Sequence, residues 1–150
     1  MSYIVKFFRF PVAEQRLLLE AATLLGLARL AIIALPFRWV AAVLGERRRT
    51  NVLDASGANS EKITALPVSR VAWAIWLTGR HTPWLSNCLA KAVAGRLMLR
   101  RRGIGSTLYF GMAKGDEGEF EAHAWLSSGG VILTGGAESD RYSVIAEFVG

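Results

Sequence analysis

Residues 107–148 read TLYFGMAKGDEGEFEAHAWLSSGGVILTGGAESDRYSVIAEF, and the fold is decided here. Short stretches rich in aromatic and β-branched residues alternate with clusters of Gly, Ser and Asp, the pattern of strands separated by turns. Strands are expected at Thr107–Lys114, Phe120–Ser127, Gly130–Thr134 and Tyr142–Phe148. The connections Gly115-Asp116-Glu117-Gly118 and Ser128-Gly129 are short enough for hairpins, so the sheet should be antiparallel.

Upstream of the sheet the texture is helical. Leu89, Val93 and Leu97 form one apolar row at helical spacing, and Cys88, Ala92 and Gly95 form an adjacent row of small residues. A helix of this kind can lie close against a neighbouring surface, with Cys88 near its start. Arg100-Arg101-Arg102 supplies its last turn and Gly103 a left-handed stop. Farther back, Pro11 and Glu14 mark the start of a helix reaching about Ala34, Pro36 forces a fresh start, and a second helix ends near Gly45. Thr50 to Lys62 are polar and small, a linker, and another helix opens at Pro67 and is broken by Gly79-Arg80-His81-Thr82-Pro83. The expected class is α+β. A helical N-terminal region with its linker, 1–62, would serve partner or leader-peptide docking, and 63–150 would form the catalytic core.

A chain of 150 residues, 52% hydrophobic and 20% charged, has enough apolar material for one buried core. The net charge of +6 is concentrated in Arg47-Arg48-Arg49 and Arg100-Arg101-Arg102, which are not interleaved with aromatics. Both clusters fall where a helix should end, so they are read as complements to the helix dipole and no nucleic-acid partner is expected. Leu17 to Leu44 is dense in Leu, Ala and Ile, but Glu20, Arg29 and Arg38 cut it into short apolar runs. A spanning helix needs about 20 residues, so burial within the domain or against a partner is expected rather than membrane association. One cysteine forms no intrachain disulfide, and the first residues lack a signal-peptide pattern, so a cytoplasmic protein is expected. One cysteine and two distant histidines provide no zinc spacing, and no glycine-lysine phosphate loop is present; no metal or cofactor is expected.

Chemistry is suggested by Cys88 and His123. The first turn of a helix stabilises a thiolate through free N–H groups and the positive dipole end, and the same groups can hold an oxyanion. Strand alternation puts Phe120, Ala122, Ala124 and Leu126 on one face, taken as core, and Glu121, His123 and Trp125 on the other. From there the imidazole can take the thiol proton if the Cys88 helix packs at that edge. Glu121 is read as a solvated charge.

The segments Trp84-Leu85-Ser86-Asn87-Cys88-Leu89-Ala90-Lys91-Ala92, Leu97 through Arg100-Arg101-Arg102-Gly103-Ile104, Phe120-Glu121-Ala122-His123-Ala124-Trp125 and Val131-Ile132-Leu133 together carry a likeness. The chain resembles the transglutaminase-like leader peptidases of lasso peptide biosynthesis, the microcin-processing proteins. The likeness is strong in the C-terminal half, where cysteine and histidine stand 123 − 88 = 35 positions apart, and looser in the helical half, including Leu35-Pro36-Phe37-Arg38. It implies a papain/transglutaminase-like core with the cysteine at a helix N-terminus. It also implies a cysteine protease that removes the leader from a ribosomally made precursor peptide, in antibiotic biosynthesis. A leader-recognition protein would deliver the substrate, and an ATP-dependent lasso cyclase would close the ring.

The family often carries an aspartate in the strand after the histidine, where this chain reads Leu133-Thr134-Gly135-Gly136. Glu138 and Asp140 lie just beyond and are candidates for the third member, as is a carbonyl or amide group elsewhere. Two further readings stand beside peptide hydrolysis: a transglutaminase-like acyltransferase, in which an amine captures the acyl-enzyme, and a non-catalytic module that binds a peptide or membrane.

Overall fold

The computed structural model describes residues 7–48, 65–81 and 87–150, so the expected linker at 50–62 lies outside the described residues. Among the described residues four α-helices precede most of the sheet: α1 (Val12–Ala34), α2 (Phe37–Leu44), α3 (Ala65–His81) and α4 (Cys88–Arg101). The strands are β1 (Glu46–Arg48), β2 (Thr107–Lys114), β3 (Phe120–Ser128), β4 (Val131–Thr134) and β5 (Ser143–Val149), with a 3-10 helix at Gly136–Arg141. Every strand pairing is antiparallel and the order is β1-β5-β2-β3-β4. The α+β class and the antiparallel sheet are as the sequence leads one to expect.

Local chemistry sets the helix limits. Pro11 and Pro36 stand in the cap positions before α1 and α2, and Leu35, the residue preceding a proline, is extended. Gly45 ends α2 at φ 98°, and Gly103 turns the chain after α4 at φ 68°.

Arg47 and Arg48 do not terminate a helix, and Arg49 lies outside the described residues. The last turn of α2 holds no basic residue, and Glu46–Arg48 instead pair as an edge strand with Glu147–Val149 of β5. The run of charge obscured the strand, since edge strands tolerate charged residues that a central strand would exclude.

Helix α4 is the centre of the molecule. The α1 and α3 helices pack against it on one side, and β2, β3 and β4 lie against it on the other. Accordingly it buries Ala90, Ala94, Met98 and Leu99 in addition to the expected row around Val93, and one apolar cluster joins all these elements. The helix lies near the sheet at Gly95, where a Cβ would fall 2.9 Å from Leu126 Cδ2 and 4.0 Å from Thr134 Cγ2. A methyl there would have to push a fully buried leucine aside.

One residue on, Arg96 is buried at 4% exposure. Its guanidinium donates to the carbonyl of Phe148 at 2.7 Å and, more weakly, to that of Ser106 at 3.4 Å, tying helix, β5 and the entry to β2 together. Arg96→Met should cost about 2–4 kcal/mol in urea unfolding, because it leaves a buried carbonyl without its charged donor. A loss below about 0.5 kcal/mol would show the tie to be idle.

At the far end, Glu20 of α1 accepts from Arg102 in a two-pronged pair, 3.0 and 2.7 Å, with Arg101 at 3.5 Å. The Arg102 hydrogen bond, opposed in part by burial, holds the Glu20 carboxyl below its usual value of 4.5. A depressed folded-state pKa contributes stability above the unfolded value that disappears as pH falls through the folded one. The stability difference between the wild type and Glu20→Gln should therefore be largest near neutrality, about 0.5–1.5 kcal/mol, and shrink below pH 4.5. Denaturation curves across that range test the sign.

Candidate active site

Cys88 is the first residue of α4, and Asn87 caps the helix, its side-chain oxygen accepting the Ala90 N–H at 2.9 Å. The Asn87 carbonyl takes the next N–H, that of Lys91, at 3.1 Å. Helix geometry leaves the N–H groups of Cys88 and Leu89 without an intrahelical acceptor. The thiol is partly exposed at this end.

His123 stands on β3, opposite Gly111 of β2. Its Nε2 lies 2.9 Å from the carbonyl oxygen of Gly135, just past the end of β4. A carbonyl only accepts, so Nε2 carries the proton and donates it, and in the neutral ring Nδ1 is the unprotonated nitrogen. The ring is also sandwiched: Tyr142 stacks at 4.9 Å between centroids and Trp125 at 6.0 Å, with Trp125 in turn stacked on Tyr109 at 5.6 Å.

Two glycines make this cluster feasible. A Cβ at Gly111 would fall 2.7 Å from Tyr142 Cβ and 2.8 Å from the Trp125 ring. Gly135 has φ 73°, and a Cβ there would fall 2.6 Å from the Ala124 oxygen and 3.0 Å from His123 Nε2. Both positions therefore need a residue without a side chain.

Glu121 is not the solvated charge expected of it. It accepts from the Tyr142 hydroxyl at 3.3 Å and pairs with Arg141 at 3.2 Å, so it holds the residue that stacks on His123. Asp140 is exposed and forms no hydrogen bond or ion pair among the described residues, and the side chain of Glu138 lies outside them.

One contact relates the two elements that carry the cysteine and the histidine. Gly95 of α4 packs on Leu126 of β3. Cys88 is seven residues before Gly95, ~10 Å along a helix, and His123 is three residues before Leu126, also ~10 Å along a strand.

The structure corrects the assignment of Phe120 and Ala122 to the core. Both are exposed, Phe120 at 74%. Ala124 and Leu126 do face inward, both buried. His123 and Trp125 occupy the other face, and no hydrogen bond joins the Cys88 thiol to the His123 ring. Beside His123 the outer edge of β3 is left without a strand, since β4 pairs only with Leu126–Ser128.

Among known protein families, the model of the transglutaminase-like superfamily matches residues 31–147. The chain belongs to that superfamily. Its members are typically cysteine peptidases or acyltransferases. The match begins within α1 and extends through β5, so it covers both Cys88 and His123. No curated protein and no solved structure matches the chain.

Among the described residues no group of three or more His, Cys, Asp or Glu could hold a metal ion. Sequence reasoning missed Gly135, Tyr142 and Asn87 as parts of the site. The paired glycines at 135–136 and the glycine inside β2 were the available signals, since a glycine in a strand marks a close approach. Gly135→Ala should move the carbonyl that fixes the ring and cost about 1–2 kcal/mol of stability for the left-handed φ. Imidazole 15N spectra should show the Nε2–H tautomer of His123 dominant in the wild type and mixed tautomers in the variant. An unchanged spectrum would remove the carbonyl from the site.

Proposed function

We propose that the protein is a cysteine peptidase that removes the leader from a ribosomally made lasso precursor peptide. The observation that carries the reading is the His123 clamp: Nε2–H is committed to the Gly135 carbonyl, which leaves Nδ1 as the base. The resemblance of the cysteine and histidine motifs to lasso leader peptidases supplies the substrate class, and superfamily membership supplies the reaction type.

In this reading Nδ1 takes the Cys88 proton and the thiolate attacks the scissile carbonyl, forming the C–S bond. The N–H groups of Cys88 and Leu89 hold the oxyanion. Collapse expels the amine of the following residue, which receives the proton from Nδ1–H. Water, deprotonated by Nδ1, then releases the leader acid and restores the thiol. The Gly135 carbonyl dipole favours the imidazolium formed in each half-reaction, and the Tyr142 and Trp125 rings keep it in plane.

Proton transfer requires the thiol and Nδ1 to come within hydrogen-bond reach in the substrate complex, since no hydrogen bond joins them here. A leader-recognition protein brings the precursor, and an ATP-dependent cyclase uses the freed core.

Cleavage of a cognate precursor, presented with its recognition protein and followed by mass spectrometry, tests the reading. Cys88→Ala should give no product, and His123→Ala should lower the rate by about 10³-fold or more. Product masses separate the chemistries, because hydrolysis adds water whereas capture by an amine at a glutamine side chain loses ammonia. Undiminished cleavage by either variant overturns the assignment.

A further inference from the structure

Helix α1 is rich in Leu, Ala and Ile, its charges being Glu14, Arg16, Glu20 and Arg29, and it is covered on one side only. Leu17, Leu18, Ala21, Leu25 and Ala28 are buried towards α3 and α4. On the opposite side Val12, Leu19, Leu27, Leu30 and Ile33 are all exposed, and at 100° per residue they fall within about 60° of the Val12–Leu30 line. Leu30 is 63% exposed and Ile33 67%. Beyond Leu35 and Pro36, α2 buries Val40 and Leu44 and leaves Trp39, at 59%, and Val43 outside. Clusters of exposed large apolar side chains of this kind mark an interaction site.

The charges around it identify the occupant. Between residues 21 and 45 there is no acid, and the only charges are Arg29 and Arg38. Neither arginine forms an ion pair among the described residues. The stripe provides almost no hydrogen-bonding pattern, since the Thr23 hydroxyl is already bonded to the Leu19 carbonyl at 2.7 Å. A peptide laid across it would leave polar backbone groups unsatisfied, whereas lipid chains ask for none. A second copy would bring no acid from its own residues 21–45 to meet Arg29 and Arg38, since a two-fold contact uses one patch twice. Apolar side chains with a tryptophan and flanking arginines suit the boundary between acyl chains and anionic headgroups.

We propose that the α1–α2 face docks the protein in the plane of an anionic lipid bilayer. α1 is long and apolar enough to cross a membrane by length and composition. It lies in the plane instead, because its inner face belongs to the core and Glu20 is paired to Arg102 of the α4 end.

Sedimentation of the full chain with vesicles of phosphatidylglycerol and phosphatidylcholine, against phosphatidylcholine alone, tests the proposal. Strong binding to the anionic vesicles is expected. Leu30→Glu with Ile33→Glu should lower the partition coefficient at least tenfold. Arg29→Gln with Arg38→Gln should lower it by about 20-fold on anionic vesicles and little on neutral ones. Circular dichroism confirms that each variant is folded, and Ile33→Ser with Trp39→Ser replaces the glutamate pair if that pair is not. Absence of vesicle binding, or binding indifferent to the apolar substitutions, overturns the proposal. So does a dimer, seen by light scattering, that Leu30→Glu with Ile33→Glu dissociates.

Discussion

The architecture depends on how closely α4 can approach the sheet. At Gly95 the helix lies so close to the Leu126 side chain that a Cβ would displace the leucine's tip. That contact fixes how near the helix that begins with Cys88 lies to the strand that carries His123. Arg96, one residue along, secures the same helix to the carbonyl of Phe148. A non-directional apolar contact and a directional charged hydrogen bond thus act at adjacent positions, one fixing depth and the other fixing rotation and register.

Most of the framework was legible because it rests on local rules. The four strands from Thr107 onward were readable to within a residue or two, since alternation and glycine turns are properties of neighbouring residues. The same holds for the break at Pro36 and the stop at Gly103. What was not legible depends on contacts between distant segments. Strand β1 exists because β5 lends it a partner, and its arginines disguise it. Glu121 looked solvated because nothing near it in sequence announces Tyr142 and Arg141, twenty positions away. The exposure of Phe120 and Ala122 depends on what covers that end of β3, a tertiary quantity that alternation does not contain.

The site was legible by residue type more than by arrangement. Cys88 and His123 were singled out from motif and position, and a carbonyl group stood among the open choices for the ring's partner. That the carbonyl belongs to Gly135 follows from a left-handed φ and from a backbone approach only glycine permits. The surrounding aromatic stack has a similar origin, since Gly111 makes space for Trp125 and Tyr142 to close around the imidazole.

A peptide oxygen as the imidazole's partner differs in kind from the carboxylate found elsewhere in such sites. It bears no formal charge and has no protonation equilibrium, so it orients the ring equally well in acid and in base. It favours the cationic ring only through a fixed dipole, which gives a weaker bias towards a thiolate–imidazolium pair than an anion would. It is also genetically silent: replacing every Asp and Glu in turn would never reveal it, because the group resides in the main chain and answers only to the backbone angles of one glycine.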